Sequence, residues 1–286
     1  MLVSIIIINY NTFKITVDCI HSIIKYTSGV DYEVILVDNA SPHENPDEFL
    51  KIFPNIKLIK AEQNGGFAKG NNLGIKEAKG DIILLLNSDT FLSEDSISKA
   101  ANYLASHKDI GVLAIKLVYP NGKIQHSARK FRYLGNEILD LLRPLLFLLP
   151  YKKRARIMLN QYYNCDFNIY CDWVSGAFFM FPQYVLKCFP GNKLDERYFM
   201  YGEDQLWCYQ IQLCGYKVFY LAETELVHIE GYSTSQKPYK FYDTIVKREL
   251  DIMRFRKGTG LYYQAFKLLF TSKKYVSYWI KKWLHS

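Results

Sequence analysis

The most informative segment of this chain is GDIILLLNSDT, residues 80–90. Its five consecutive apolar residues, 82–86, are typical of a strand that is covered on both faces, as in parallel sheets with helices on either side. Such sheets bind ligands beyond the carboxyl ends of their strands. We therefore expect Asp89 to reach a loop at that edge, where a carboxylate can hold a divalent cation. The alternative is that Asp89 and Thr90 only form a turn before a helix capped by Ser93.

Strands and helices alternate on both sides of this stretch. The apolar patterns predict strands at 2–8, 33–37, 56–59, 82–86 and 112–118, and helices at 12–26, 46–53, 67–78 and 93–106. Alternation with short connections implies right-handed crossovers. The fold class is therefore α/β, with a Rossmann-like, mostly parallel sheet and helices on both faces.

Composition and charge narrow the classes of function. The chain of 286 residues carries a net charge of +8, but residues 237–286 hold twelve Lys and Arg against three acidic residues, which leaves the remainder near neutrality. A neutral body argues against a nucleic-acid groove, and a basic end favours an anionic surface. The six cysteines have no metal-binding spacing, which indicates a reducing, cytoplasmic compartment. The apolar amino terminus is typical of a core strand rather than a signal peptide, and no segment is long enough to span a membrane.

Two segments suggest contact with a membrane surface. Residues 138–150 are apolar and are followed by KKRAR at 152–156, so they form either a buried flap or, as we favour, an interfacial segment. The carboxyl end reads as amphipathic helix, which either packs on the protein's own core or lies on a membrane. Basic residues beside aromatic ones favour the membrane. Its apolar stripe, interrupted by Lys273, consists of Tyr262, Phe266, Leu269, Val276, Ile280 and Trp283.

Several predicted strands and helices adjoin polar residues that could bind a ligand or take part in catalysis. Asp38 ends the second strand and Asp89 ends a later one, so both should lie at the same edge of the sheet. There Asp38 either binds a nucleotide base or ribose, or only forms a turn. The glycine-rich segment 63–74 precedes a helix and is a weak phosphate signal. Glu203 and Asp204 are at the start of a predicted helix. There they either interact favourably with the helix dipole or supply a general base. A lone histidine such as His228 is more often structural than a ligand.

Seven short motifs occur in an order that resembles the family 2 inverting glycosyltransferases of the GT-A fold, particularly their rhamnosyltransferase-like branch. They are INYN at 8–11, VDNAS at 37–41, NGGF at 64–67, LNSD at 86–89, VSGA at 174–177, YGED at 201–204 and VH at 227–228. The resemblance implies a GT-A domain over residues 1–235. Its nucleotide-sugar-binding half would be 1–118 and its acceptor-binding, catalytic half 119–235, with a basic aromatic helical tail over 236–286.

The resemblance also implies a UDP- or dTDP-linked sugar donor and a divalent metal, Mg²⁺ or Mn²⁺, held by Asp89 and His228. Asn87 stands where the family's D-x-D motif has its first acid, and Asn71 stands where many relatives carry a diphosphate-binding Arg. The implied donor-binding residues are Asn9, Tyr10, Asp38, Asn64, Gly65, Gly66, Asn71, Asn87 and Asp89.

For catalysis, the resemblance implies that Asp204 is the base, with Glu203 as the alternative. Trp173, Gly176 and Ala177 would bind the acceptor, a glycan or lipid-linked glycan used in cell-surface polysaccharide synthesis at the inner membrane face. Two rivals remain: a sugar-phosphate nucleotidyltransferase, and a non-catalytic carbohydrate- or membrane-binding protein.

Overall fold

A computed structural model describes residues 1–229 and 238–284, apart from the side chains at 141, 238–241, 280–282 and 284. The chain forms two compact units. The first comprises Met1–Arg129 and Asn164–Ser235, and the second comprises Lys130–Tyr163 and Gln236–Ser286.

Alternating elements build the first part of the chain, as the apolar patterns predict. In order they are β1 (Leu2–Asn9), α1 (Phe13–Tyr26), β2 (Asp31–Asp38), α2 (Glu48–Ile52), β3 (Lys57–Lys60), α3 (Gly66–Glu77), β4 (Ile82–Asn87), β5 (Thr90–Phe91), α4 (Ser96–Ser106) and β6 (Ile110–Val118). The predicted cap of α4 was wrong. The helix begins at Ser96, so Asp95 rather than Ser93 is the cap: its Oδ1 accepts the Ser98 N–H at 3.1 Å, and its Oδ2 accepts the Gly29 N–H before β2 at 3.0 Å.

The later elements are shorter. They are β7 (Ile124–Gln125), β8 (Ala128–Arg129), α5 (Leu134–Leu141), a 3₁₀ helix (Arg143–Leu148), α6 (Tyr151–Ile157), α7 (Leu159–Tyr162), β9 (Ile169–Cys171), β10 (Trp173–Val174), β11 (Phe178–Pro182), two 3₁₀ helices (Gln183–Cys188 and Pro190–Asn192), α8 (Glu203–Leu213), β12 (Lys217–His228), α9 (Pro238–Lys257) and α10 (Leu261–Leu284).

The main sheet of the first unit has the strand order β3-β2-β1-β4-β11-β6-β12-β5, with β7 on β6 and β9 on β12. Strands β1 to β4 are parallel to one another, and β12 is parallel to β6. Strand β11 runs antiparallel between β4 and β6. The predicted fold class, α/β with a mostly parallel sheet, is confirmed.

Helices on both faces explain the unbroken apolar runs. On one face, Ile5 and Ile7 of β1 join a buried cluster with Ile20 of α1. On the other face, Ile6 lies so close to Gly74 of α3 that a Cβ there would be 2.5 Å from its Cγ2. Because successive side chains of a strand alternate between faces, both sets of positions must be apolar.

In the second unit, α9 and α10 bury a cluster of Val246, Met253, Phe266 and Phe270. Lys273, which interrupts the predicted stripe, contacts Glu137 and Asp140 of α5. The helix therefore packs within its own unit along one side, which was one of the two predicted outcomes. Val276 and Trp283 of the stripe are instead exposed, and the Ile280 side chain lies outside the described residues. In the part of the chain that the structure describes, no helix is long and apolar enough to cross a bilayer.

Candidate active site

The carboxyl ends of β1, β2 and β4 bring three predicted donor residues together. The parallel ladder sets Asn9 beside Asp38 and pairs Ile8 with Asn87. The Asn9 Nδ2 donates to Asp38 Oδ1 at 2.8 Å. Tyr10 is half-buried in the turn that follows β1. The expectation that polar strand ends meet at one edge is met.

Asp38 is buried and forms a turn. Its carboxylate accepts the Ser41 N–H at 3.1 Å and the Ser41 hydroxyl at 2.6 Å, besides the Asn9 amide. A carboxylate has about four acceptor positions, so about one remains for a further donor. Glu44, which the sequence analysis missed, accepts Asn9 Nδ2 at 3.1 Å and the Phe13 N–H at 2.7 Å. A second carboxylate thus lies next to Asp38, although nothing in its loop sequence marks it.

The glycine-rich loop is held by the protein itself. Asn39 Oδ1 accepts the Gly65 N–H at 3.2 Å, and Asn64 Oδ1 accepts the Gly66 N–H at 3.0 Å. Gly66 has a φ of +80°, and a Cβ there would lie 2.2 Å from the Phe199 carbonyl oxygen. These glycines therefore permit close approach of another loop of the same chain.

Asn71, further along α3, is also buried. Its Nδ2 donates to the Phe67 carbonyl at 2.9 Å. Its Oδ1 has no hydrogen-bond partner among the described residues. The amide thus keeps an acceptor that the fold itself does not use.

Asp89 and His228 meet although 139 positions separate them in sequence. Strand β5 pairs with β12 so that His228 is opposite Thr90. The His228 Nε2 lies 3.2 Å from Asp89 Oδ1 and 3.3 Å from Asn87 Nδ2, and both Asp89 and His228 are buried. The structure thus brings the two predicted metal ligands and Asn87 into one cluster.

This cluster fits a divalent cation that is shared with a ligand. The Nε2–Oδ1 distance of 3.2 Å is short enough for both atoms to bind one divalent cation, and an imidazole nitrogen beside a carboxylate oxygen is a donor set that such cations accept. No group of three or more His, Cys, Asp or Glu that could hold a metal occurs within residues 1–229 and 238–284. Mg²⁺ commonly needs only one or two protein carboxylates when substrate phosphates complete its shell.

Asp204 is positioned by the turn that precedes α8. Tyr201 and Gly202 both have positive φ, so the chain reverses sharply before the helix begins. Asp204 Oδ2 accepts the Gly176 N–H at 3.1 Å, and its Oδ1 accepts the Gln205 N–H at 2.8 Å. Burial raises the pKa of the Asp204 carboxyl. Glu203, the alternative base, is buried at the first residue of α8.

Two hydrogen bonds link Asp204 to Asn87 through Gly176 and Ala177. Gly176 binds Asp204, and the carbonyl of the next residue, Ala177, accepts the Asn87 N–H at 3.1 Å. The physical cause is β11, which starts at Phe178 and pairs antiparallel with the end of β4. The acid pair and Asp89 therefore lie at the same end of the sheet.

A short second sheet adds a cation that the sequence analysis missed. Strands β8 and β10 pair Arg129 with Trp173, and the Arg129 guanidinium lies 5.3 Å from the half-buried indole ring. Burial raises the pKa of Asp204, and the positive charge of Arg129 acts in the opposite direction. The segment around Arg129 has no pattern that would have singled it out.

GT-A glycosyltransferases are among the solved structures that share this fold. TarS residues 1–349 of Staphylococcus aureus, solved with UDP-GlcNAc, gives a TM-score of 0.56 at 22% identity and covers 88% of this chain and 67% of that one. The mannosyltransferase PcManGT of Pyrobaculum calidifontis, solved with GDP-Man and Mn²⁺, gives 0.61 at 14% identity, with coverage of 96% and 69%. At these identities the likeness defines the fold, which is that of the GT-A class.

Sequence comparison identifies the family. Residues 4–175, more than half of the chain, match the model of glycosyl transferase family 2, so the chain belongs to that family. The minor teichoic acid biosynthesis protein GgaB of Bacillus subtilis is 29% identical over 143 residues, 48% of this chain and 16% of GgaB. The poly(ribitol-phosphate) beta-N-acetylglucosaminyltransferase TarS is 28% identical over 155 residues, 49% of this chain and 26% of TarS. These matches specify the family and no branch, so the rhamnosyltransferase-like branch stays a prediction.

Proposed function

We propose that this chain is a metal-dependent inverting glycosyltransferase. It transfers a sugar from a UDP- or dTDP-linked donor to a hydroxyl group of a glycan or lipid-linked glycan. The observation that carries the proposal is the pair of hydrogen bonds that joins Asp204, through Gly176 and Ala177, to Asn87 beside Asp89. A candidate base and a candidate cation site thus share one end of the sheet, where α/β proteins bind their ligands.

The residues divide the reaction between them. Asp204 accepts the proton of the acceptor hydroxyl as that oxygen attacks the anomeric carbon, and burial raises its pKa, which makes its ionised form a stronger base. Attack from the face opposite the leaving group inverts the configuration. Asp89 and His228 would hold the divalent cation, which when bound offsets charge on the departing nucleoside diphosphate. The last acceptor position of Asp38 would bind the nucleoside.

Relatives support the choice of donor and acceptor class. The names of GgaB and TarS refer to teichoic acid and to poly(ribitol-phosphate), so we propose an anionic cell-wall polymer or its lipid-linked precursor as the acceptor. TarS was solved with UDP-GlcNAc, which makes UDP-sugars the first donors to try.

The test is turnover of nucleotide sugars by the purified protein with Mn²⁺ and a polyol-phosphate acceptor. We expect release of nucleoside diphosphate that depends on both metal and acceptor. Release of pyrophosphate from a sugar phosphate and a nucleoside triphosphate would support the nucleotidyltransferase instead. Donor binding without any turnover would support the non-catalytic alternative, and either result would overturn the proposal.

We further propose that the second unit contacts an anionic membrane surface, which would make the enzyme peripheral at the inner face. One side of α10 exposes apolar residues that fall within about 80° of one another at 100° per residue. They are Leu261, Leu268, Val276, Trp279 and Trp283. The 3₁₀ helix Arg143–Leu148 exposes Leu145, Phe147 and Leu148, and the following α6 exposes Lys152, Lys153 and Arg156. Exposed apolar residues beside basic ones suit binding to anionic lipid.

Vesicle sedimentation tests this contact. The double variant Leu145→Glu and Leu148→Glu should reduce binding to vesicles that contain anionic lipid, since both apolar side chains are exposed. The matched control is Leu213→Glu, because Leu213 is 69% exposed on α8 of the first unit. Equal loss in both variants, or equal binding of wild type to neutral and anionic vesicles, would remove the claim.

A further inference from the structure

We propose that Gln125 is a positioning residue that holds His228 in the tautomer whose Nε2 presents a lone pair toward Asp89. The inference rests on the proposed metal-dependent function, which it deepens by naming the residue that prepares the histidine as a ligand. Gln125 is buried on β7, and nothing in the sequence around it marks it for this role.

The hydrogen-bond chemistry leaves one arrangement of the two side chains. Gln125 Nε2 lies 2.6 Å from the His228 carbonyl oxygen, which can only accept, so the amide NH₂ must face it. The Gln125 Oε1 then faces His228 Nδ1 at 2.7 Å. An amide oxygen can only accept, so Nδ1 carries the hydrogen. In the neutral ring, Nε2 therefore has a free lone pair.

That lone pair points into the predicted metal cluster. The Nε2 atom lies 3.3 Å from Asn87 Nδ2 and 3.2 Å from Asp89 Oδ1. Two electron-rich atoms that face each other at this distance attract a cation between them. A histidine ligand usually donates its other ring N–H to a partner that fixes its orientation, and Gln125 supplies that partner here.

The backbone of both residues is fixed by the same strand. On one side of β6, Gln125 pairs antiparallel with Leu117. On the other side, Val227, the residue before His228, pairs parallel with Val118. The two side chains therefore meet at a separation that β6 sets. This placement explains how a residue 103 positions away can make two hydrogen bonds to His228.

Two variants of nearly equal size separate positioning from packing. Gln125→Met removes both hydrogen bonds, and we expect Mn²⁺ affinity, measured by water-proton relaxation with and without UDP, to fall about 10- to 100-fold. Gln125→Glu keeps an oxygen that accepts the Nδ1–H but sets a carboxylate against the His228 carbonyl. We expect its Mn²⁺ affinity to stay within about threefold of wild type, well inside the range of losses that such partners cause. If Gln125 only packs, the buried carboxylate makes Gln125→Glu the worse variant, and that order would overturn the proposal.

The tautomer itself is observable by ¹⁵N NMR of histidine-labelled, metal-free protein, with His228→Asn to assign the signal. We expect the Nδ1–H form in wild type and in Gln125→Glu, and a substantial Nε2–H population in Gln125→Met. An Nε2–H tautomer in wild type would overturn the inference while leaving glycosyl transfer intact. Nucleoside diphosphate release that persists in excess EDTA would overturn the metal site, whereas absence of any release would count against the transferase alone.

Discussion

Replacing Asp204 with Asn removes the proposed base while changing little of the site's shape. The remaining oxygen can still accept the Gly176 N–H, which lies 3.1 Å from the carboxylate. The new NH₂ group then faces the Gln205 N–H, now 2.8 Å from a carboxylate oxygen. An N–H that loses its acceptor costs about 1–3 kcal/mol. Because a domain has about 5–15 kcal/mol of stability, the variant should remain folded.

The expected loss of rate follows from the role of the group. A positioned general base contributes about 10²- to 10⁴-fold, or about 2.7 to 5.4 kcal/mol of activation free energy at 1.36 kcal/mol per tenfold. Burial raises the pKa of Asp204, and a base is most effective when its pKa is near the working pH. We expect the loss of rate to lie within that range, about 10²- to 10⁴-fold. Affinity for UDP and Mn²⁺ should stay unchanged, because Asp89 and His228 are untouched.

The assay is nucleoside diphosphate release at saturating donor and acceptor, with calorimetry for the affinity of UDP and Mn²⁺. Asp109→Asn is the matched control, because Asp109 is a half-exposed acid just before β6, at the opposite edge of the sheet. Retention of more than a tenth of the wild-type rate by Asp204→Asn would refute the assignment. A full loss in Glu203→Gln together with a mild effect of Asp204→Asn would transfer the role to Glu203.

The remaining predictions concern charge. Burial raises the pKa of Asp204 and Arg129 opposes this, so Arg129→Met should raise that pKa further. Since the base must be ionised, the rate falls as pH drops through this pKa. The acid limb of the pH–rate profile of Arg129→Met should therefore move to higher pH. An unmoved limb would refute the influence of Arg129 on the pKa of Asp204. Glu137 is 1% exposed and pairs with Lys273 and Arg132, so Glu137→Leu should lower the free energy of unfolding by about 3–5 kcal/mol in urea titrations. Adding Lys273→Met should recover part of that loss, and no recovery would argue against the pair.

Local patterns were enough to predict the elements of residues 1–118. The apolar runs at 2–8 and 82–86 predict strands that are covered on both faces, and alternation with helices predicts the parallel sheet. Because parallel strands end at one edge, the positions of Asp38 and Asp89 already place both carboxylates there. The structure agrees with each of these expectations.

The connection between the two halves of the site was not predictable from pattern. The segment FFMFP at 178–182 is apolar throughout, so it indicates burial but neither a partner nor a direction. In the structure it runs antiparallel between β4 and β6, and this brings Gly176 and Asp204 to the end of β4. The roles of Gln125 and Arg129 could not be predicted either, because the residues that they contact are distant in sequence.

The carboxyl-terminal helix shows the same division. Its amphipathic period predicts a helix with an apolar side, and α10 is that helix. Only the structure decides that Phe266 and Phe270 are buried, that Lys273 faces Glu137, and that Trp279 is exposed.

The amino-acid sequence was enough to predict the strands and helices of residues 1–118, the edge of the sheet that carries the polar residues, and the resemblance to the family. Only the three-dimensional arrangement shows that β11 brings Asp204 to the end of β4 and that Gln125 Oε1 lies 2.7 Å from His228 Nδ1. The two kinds of information act over different distances along the chain. Helix and strand periods repeat over a few residues and are written in the order of side chains, whereas strand order and side-chain pairing depend on free energies summed over contacts between segments far apart in the chain.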